Sequence, residues 1–319
     1  MRLNLLLALG CVAAFLLSLL AGRVWVPPAD WLSGDLGSII IVELRLPRAI
    51  LGLAIGGALG LSGAVMQGYL RNPLADPGLF GVSSSAALGA VCSLFFGFAA
   101  SAWLLPLFAL AGAAAGIMLL ALLAGRSASL ILFTLAGMIL ANLTASLTAL
   151  MISLAPTPFA ASEIMTWLMG ALTDRSWDEV RFALPIIAMG MALLATTARS
   201  LDALTLGEAA ARSLGVDTRR LQWLVVLGIG ACVGASVAAA GVVGFVGLIV
   251  PHLIRPLTGH RPSALLLPSA LAGGLLVLVA DSVVRIVPTM SELRLGIAMS
   301  LLGAPFFLAL LVRMRRELA

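Results

Sequence analysis

The chain has 319 residues, 61% apolar and only 10% charged, with a mean hydropathy of +1.14 and a formal net charge of +5. Soluble domains carry roughly 25% charged residues, so this composition excludes a soluble globular protein and points to a polytopic membrane protein. All 19 basic residues are arginine; without lysine the chain cannot form a nucleotide P-loop, which needs one to reach the β- and γ-phosphates.

A membrane-spanning helix needs about 20 apolar residues. In chain order, ten candidate segments lie at about 3–22, 47–69, 82–99, 102–124, 128–152, 181–198, 221–240, 242–257, 263–285 and 293–312. They are continuously apolar rather than alternating, which argues for helices and against transmembrane strands. The expected fold is an all-α transmembrane bundle of about ten helices in one domain, residues 1–319.

The first segment, MRLNLLLALGCVAAFLLSLL, has features of a signal peptide, and Ala8-Leu9-Gly10-Cys11 is similar to a lipoprotein cleavage site. The apolar run continues past Cys11 to spanning length, so a retained first helix is preferred. The second segment opens at ELRLPR (43–48), where Arg45 and Arg48 flank Pro47, a residue suited to a helix start. It continues through GLAIGGALGLSG (52–63), read as close helix contact. Prolines, glycines and Asn72 in YLRNPLADPGLFGVSSSAALG (69–89) then break the chain, as is tolerated where backbone lines a cavity or is buried in protein. The eighth segment is short and carries Pro251, and its inclusion rests partly on an even count.

Between the sixth and seventh segments lies LTLGEAAARSLGVDTRRLQ (204–222); the stretch Arg199–Arg220 holds seven of the 33 charges in the chain. Leu206, Ala210 and Leu214 fall on one helical face, Glu208 and Arg212 form an i, i+4 pair, and Gly215 is a natural stop. This helix is too short and too charged to span. It either lies on lipid or docks in a groove of a cytoplasmic partner.

With the termini inside, twelve arginines fall on the inner side and seven on the outer, which fits the positive-inside rule and places both termini in the cytoplasm. Ion-driven carriers usually keep an acid or histidine deep in a span. Here the acids sit at loops and span ends, Asp281 coming nearest to an exception. No zinc helix, nucleophile elbow or paired-acid pattern is present. The sequence offers many helices and a plausible pathway, but no internal energy source.

Four blocks carry a resemblance: RLPRAILGLAIGGALGLSGAVMQGYLRNPLADPGLFGVS (45–83), LGEAAARSLGV (206–216), GVVGFVGLIVPHLIRPLTGHRPSALLLPSALAGG (241–274) and ELRLGIAMSLLGAPFFLALL (292–311). In order and spacing the chain resembles the FecCD-type permeases of ABC importers for iron–siderophore complexes, haem and cobalamin. The resemblance implies a type II importer permease fold, a homodimer in a bacterial inner membrane, two ABC ATPase subunits that use ATP and Mg, and a periplasmic substrate-binding protein. It implies no cofactor, metal, nucleic-acid partner or catalytic residue for this chain itself.

Residue by residue, the resemblance assigns Gly207, Glu208, Ala211, Arg212, Leu214 and Gly215 to a coupling helix that inserts into the ATPase. It assigns Arg45, Arg48 and Arg285 to docking of the binding protein, and Asn72 and Leu74, joined by Ser129, to a cytoplasmic gate. Two departures stand out: Arg294 replaces a proline common after Glu-Leu, and Gly241-Val242 stands where Gly-Pro is frequent. Siderophore iron is the first expected cargo, with haem and cobalamin behind it; Met138, Met151, Met165 and Met169 fit core packing better than a haem path. The rival reading is an ion-coupled secondary transporter of small solutes.

Overall fold

The computed structural model describes residues 2–31, 34–98, 103–124, 130–288 and 292–318. Among these the chain is helical, with no strand. In order the helices are α1 (Arg2–Leu20), α2 (Leu36–Ile39), α3 (Leu46–Tyr69), α4 (Val82–Phe95), α5 (Leu104–Ala124), α6 (Leu130–Ser153) and α7 (Pro158–Leu168). They continue as α8 (Trp177–Thr196), α9 (Ala198–Leu204), α10 (Glu208–Ser213), α11 (Thr218–Ala240), α12 (Val246–Ile254), α13 (Pro262–Ile286) and α14 (Leu295–Leu318). A π-helical turn, Ile40–Arg45, joins α2 to α3.

Seven of these helical stretches are long and apolar enough to cross a membrane, and three shorter apolar ones, beginning at Val82, Val246 and Leu295, complete the expected series of ten. The short eighth segment is real: α12 starts at Val246, after Phe245 with its φ of 67°, and passes at Arg255 into a 3-10 turn. The first segment forms a helix that packs on α3 and α13. Ala14 and Leu19 of α1 are buried with Ala49 and Leu278, and the Cys11 thiol donates to the Leu271 carbonyl of α13 at 3.1 Å.

α3 lies at the centre, with almost its whole length buried, and α11 is nearly as enclosed. Small residues make this possible. A Cβ added at Gly60 would overlap the Ser269 carbonyl of α13, and one at Gly63 would overlap the Gly247 carbonyl of α12. The run GLAIGGALGLSG is therefore a contact surface where backbone meets backbone. Gly60→Val should cost about 1–3 kcal/mol through overpacking, seen as a lower thermal midpoint of the detergent-solubilised protein, whereas Gly244→Val, with open space around it, should not disturb packing.

α6 is the opposite case. Ile131, Leu135, Ile139, Leu143 and Leu150 are exposed, and so are the polar residues Asn142 and Ser146 near the middle of the same helix. The Asn142 amide bonds only within its own helix, to the Met138 carbonyl at 2.8 Å.

Candidate functional site

The charged connector between α8 and α11 folds as two short helices at one end of the bundle. α9 is tied to α13 by Asp202, whose carboxylate accepts from the Ser263 backbone N–H at 2.8 Å and from its hydroxyl at 2.6 Å. These two bonds join the connector to the start of a spanning helix. Gly207 then takes φ +96°, a value disfavoured for residues with a side chain, and α10 begins at the following residue.

This break corrects one expectation. Leu206 lies in the turn before Gly207, so Leu206, Ala210 and Leu214 do not share one continuous helix. Leu206 and Leu214 nevertheless both stand out from the protein, 67% and 64% exposed, at the two ends of α10. Ala211 is fully buried and fixes the inner side of the helix. Glu208 and Arg212 form the expected pair at 3.3 Å on the exposed side.

Gly215 ends α10 with φ +85°. Its N–H donates to the Arg212 carbonyl at 2.9 Å and that of Val216 to the Ala211 carbonyl at 3.0 Å, the paired bonds of a Schellman stop. Asp217 caps α11 by accepting from the N–H groups of Arg219 and Arg220. The result is a rigid, capped projection carrying two apolar side chains and one ion pair.

In the break after α3, Asn72 is a turn former. Its side-chain oxygen accepts from the Leu74 N–H at 2.9 Å and its carbonyl from the Ala75 N–H at 3.1 Å. Asn72 is exposed and Leu74 half-buried, so both belong to one local turn. Ser129, the third expected gate residue, lies outside the described residues.

At the end of the bundle away from α10, Arg45, Arg48 and Arg285 come together, but not as free groups. They are 6%, 8% and 4% exposed. Arg45 donates to the carbonyls of Leu19 and Leu20 at the end of α1 and of Val24 just beyond it. Arg48 grips Asp281 through Nε and Nη2 and reaches Glu292 through Nη1 at 3.0 Å. Arg285 approaches Asp281 at 3.2 Å and donates to the Ser18 hydroxyl and the Ala21 carbonyl. The expected role as docking cations needs guanidinium surface that this geometry spends inside the chain. Here the three arginines act as a brace joining α1, α3, α13 and the segment entering α14.

Asp281, Glu292 and Thr173 were not singled out as partners by the sequence; the one local signal is the i, i+4 spacing of Asp281 and Arg285. Glu292 also accepts from the Thr173 hydroxyl at 2.7 Å. Burial pushes its carboxyl up, but the Thr173 hydrogen bond and the Arg48 charge outweigh that and hold it below the usual carboxylate range. A depressed folded value means that the stability contributed by Glu292 is present above the ordinary carboxylate pKa and lost as pH falls through the folded one. Glu292→Gln should flatten the acid limb of a stability–pH profile measured by thermal unfolding.

A bundle of long apolar helices, with a capped polar projection at one end and a buried ionic brace at the other, defines a polytopic membrane protein. The chain belongs to the FecCD transport family, whose model matches residues 10–313. It is similar to the vitamin B12 import system permease protein BtuC of Salmonella paratyphi A and of Salmonella typhi, at 39% identity over 314 residues, covering 97% of this chain and 94% of each relative. Among solved structures it is similar to a chain of a transporter described as of metal-chelate type ABC, in an inward-facing conformation. There the TM-score is 0.90 at 33% identity, over 98% of this chain and 99% of the other. It is thus a multi-pass permease subunit of an ABC transporter, and ATP hydrolysis belongs to a separate subunit.

Proposed function

We infer that the chain forms the translocation path of an ATP-driven importer of a metal chelate, with cobalamin as the first cargo to test and ferric siderophore the second. The observation that carries this reading is the 39% identity to vitamin B12 permeases over 97% of the chain, which moves cobalamin ahead of siderophore iron, the first expected cargo.

Two copies enclose the path. Exposed Asn142 and Ser146 on α6 and exposed Ser300 on α14 would face lipid in a lone chain; the bonds that Asn142 and Ser300 make within their own helices leave part of each polar group to be desolvated, and a polar group that meets hydrocarbon without a partner costs roughly 2–7 kcal/mol. A second copy turns this face into the wall of a weakly polar lumen, suited to a bulky chelate that must not stick. α10 is the coupling helix: its apolar tips enter a groove on each of two ATPase subunits, whose ATP- and Mg-dependent cycle moves α9 and, through Asp202 and Ser263, α13. Asn72 and Leu74 close the path at that end, which faces the cytoplasm together with both termini. A periplasmic binding protein docks on the outer rim that Arg45, Arg48 and Arg285 hold in shape.

Vesicles reconstituted with permease, ATPase and binding protein test the cargo. Labelled cobalamin should accumulate only with ATP inside the compartment that holds the ATPase; accumulation of ferric siderophore or haem alone would reassign the cargo. Uphill uptake by the permease alone, driven by a proton or sodium gradient, would instead favour the ion-coupled carrier.

A further inference from the structure

A cavity of about 610 Å³ opens at the α10 end of the bundle, where the ends of α3 and α12 meet the start of α13 and the apolar flank of α14. Its wall includes Arg71, Arg255, His252, His260, Gln67 and Leu310. Two arginines and two histidines thus face one space, and no carboxylate lines it among the described residues.

The arrangement is built rather than incidental. Gln67 is 1% exposed, and its amide nitrogen lies 3.4 and 3.3 Å from the carbonyls of Gly247 and Leu248, which fixes the direction of its oxygen. That oxygen accepts from Arg255 Nη2 at 2.7 Å and so locks the guanidinium in place. Arg255 Nε is buried and makes no hydrogen bond within the chain. Arg71 and His260 both hold left-handed backbone, φ 50° and 60°, so two of the four non-glycine residues in that region among the described residues line this one cavity. Such conformations persist where surrounding structure enforces them, and they gather at ligand sites.

The cavity is much larger than a single inorganic anion requires, and prolines and Leu310 supply part of its wall. Basic pockets between helices at the cytoplasmic ends of membrane proteins suit anionic lipid headgroups, and arginine is matched to phosphate by its planar fork of donors. We propose that this cavity binds a phosphate group, carried by an anionic glycerophospholipid whose headgroup lies against Arg71 and Arg255 and whose glycerol end meets Leu310. Thr205, in the turn between α9 and α10, lines the same cavity, so an occupant would bear on the root of the coupling projection.

Native mass spectrometry of the delipidated, detergent-solubilised chain tests this, using short-chain phosphatidylglycerol, phosphatidylcholine of the same chain length, and inorganic phosphate as separate probes. Phosphatidylglycerol should bind in preference to phosphatidylcholine, with affinity falling about fivefold for each of Arg71→Gln and Arg255→Gln. Arg255→Lys should recover part of the loss. Arg71 is exposed, so its variant reports on binding even if Arg255→Gln fails to elute as a monodisperse species. Saturation by inorganic phosphate that excludes phosphatidylglycerol would keep the phosphate site and assign it to a soluble donor. Equal binding of the two lipids, no binding of any probe, or binding unchanged in Arg71→Gln would overturn the proposal; so would loss of ATPase co-purification in that variant when wild type takes up neither lipid nor phosphate, because the cavity is then a protein contact.

Discussion

Leu206→Asp combined with Leu214→Asp should leave the permease folded and abolish its co-purification with the ATPase subunit. Both side chains are about two-thirds exposed, and surface substitutions of this kind usually change stability by no more than about 0.5 kcal/mol. At the centre of an interface the same changes bury charge against an apolar groove, where losses of about 2 kcal/mol or more per key residue are typical. Two such losses amount to several hundredfold in affinity, on the scale of about 1.4 kcal/mol per tenfold. The charged side of α10 provides a second arm. Exchanging the pair as Glu208→Arg with Arg212→Glu keeps an i, i+4 contact within the helix but reverses its sense, so a loss of association there reports on the partner and not on helix formation. If both double variants still bring down the ATPase while membrane partitioning of the isolated segment changes, α10 is a helix lying on lipid and the coupling assignment fails.

The difference between what α10 shows and what its sequence suggested has a local cause. Charge density, the Glu208–Arg212 spacing and the stop at Gly215 are properties of a few neighbouring residues, and all of them hold in the structure. The shared face of Leu206, Ala210 and Leu214 failed because a periodicity argument assumes continuous helix, and Gly207 is a residue that can equally well break one. The ten apolar segments were legible for the same reason as the charge density: spanning length is a composition over a window. Nothing comparable reports on the brace. Arg48 and Asp281 are 233 residues apart, and Arg48 and Glu292 are 244 apart, so only packing of α3 on α13 reveals that these outer charges satisfy each other. A count of arginines by side cannot distinguish a cation offered to solvent from one consumed inside the protein. The Gln67–Arg255 contact that shapes the basic cavity is hidden in the same way, across 188 residues.

Asp281→Asn should be among the most damaging single substitutions in the chain. Three arginines and two carboxylates meet in the brace, so the cluster already carries one excess positive charge. The Asp281 side chain is 2% exposed, and the two guanidinium groups that it serves are 10% and 4% exposed. Removing one partner of a buried ion pair costs roughly 3–5 kcal/mol, because the orphaned charge stays out of water. The expected readout is a sharp fall in thermal midpoint and in the yield of monodisperse protein in detergent. Asparagine nearly matches aspartate in volume, so the loss reports charge and not packing. The decisive variant is the double substitution Asp281→Asn with Arg285→Met, which removes one orphaned cation along with the anion and should recover a measurable part of the stability. Glu292→Gln alone should cost less, since Glu292 is more exposed and Arg48 keeps its bidentate contact with Asp281. Wild-type stability in Asp281→Asn would mean that water reaches the cluster and screens it. The arginines would then be available to a docking protein after all, and a loss of binding-protein affinity in Arg48→Gln, with the fold intact, would show it.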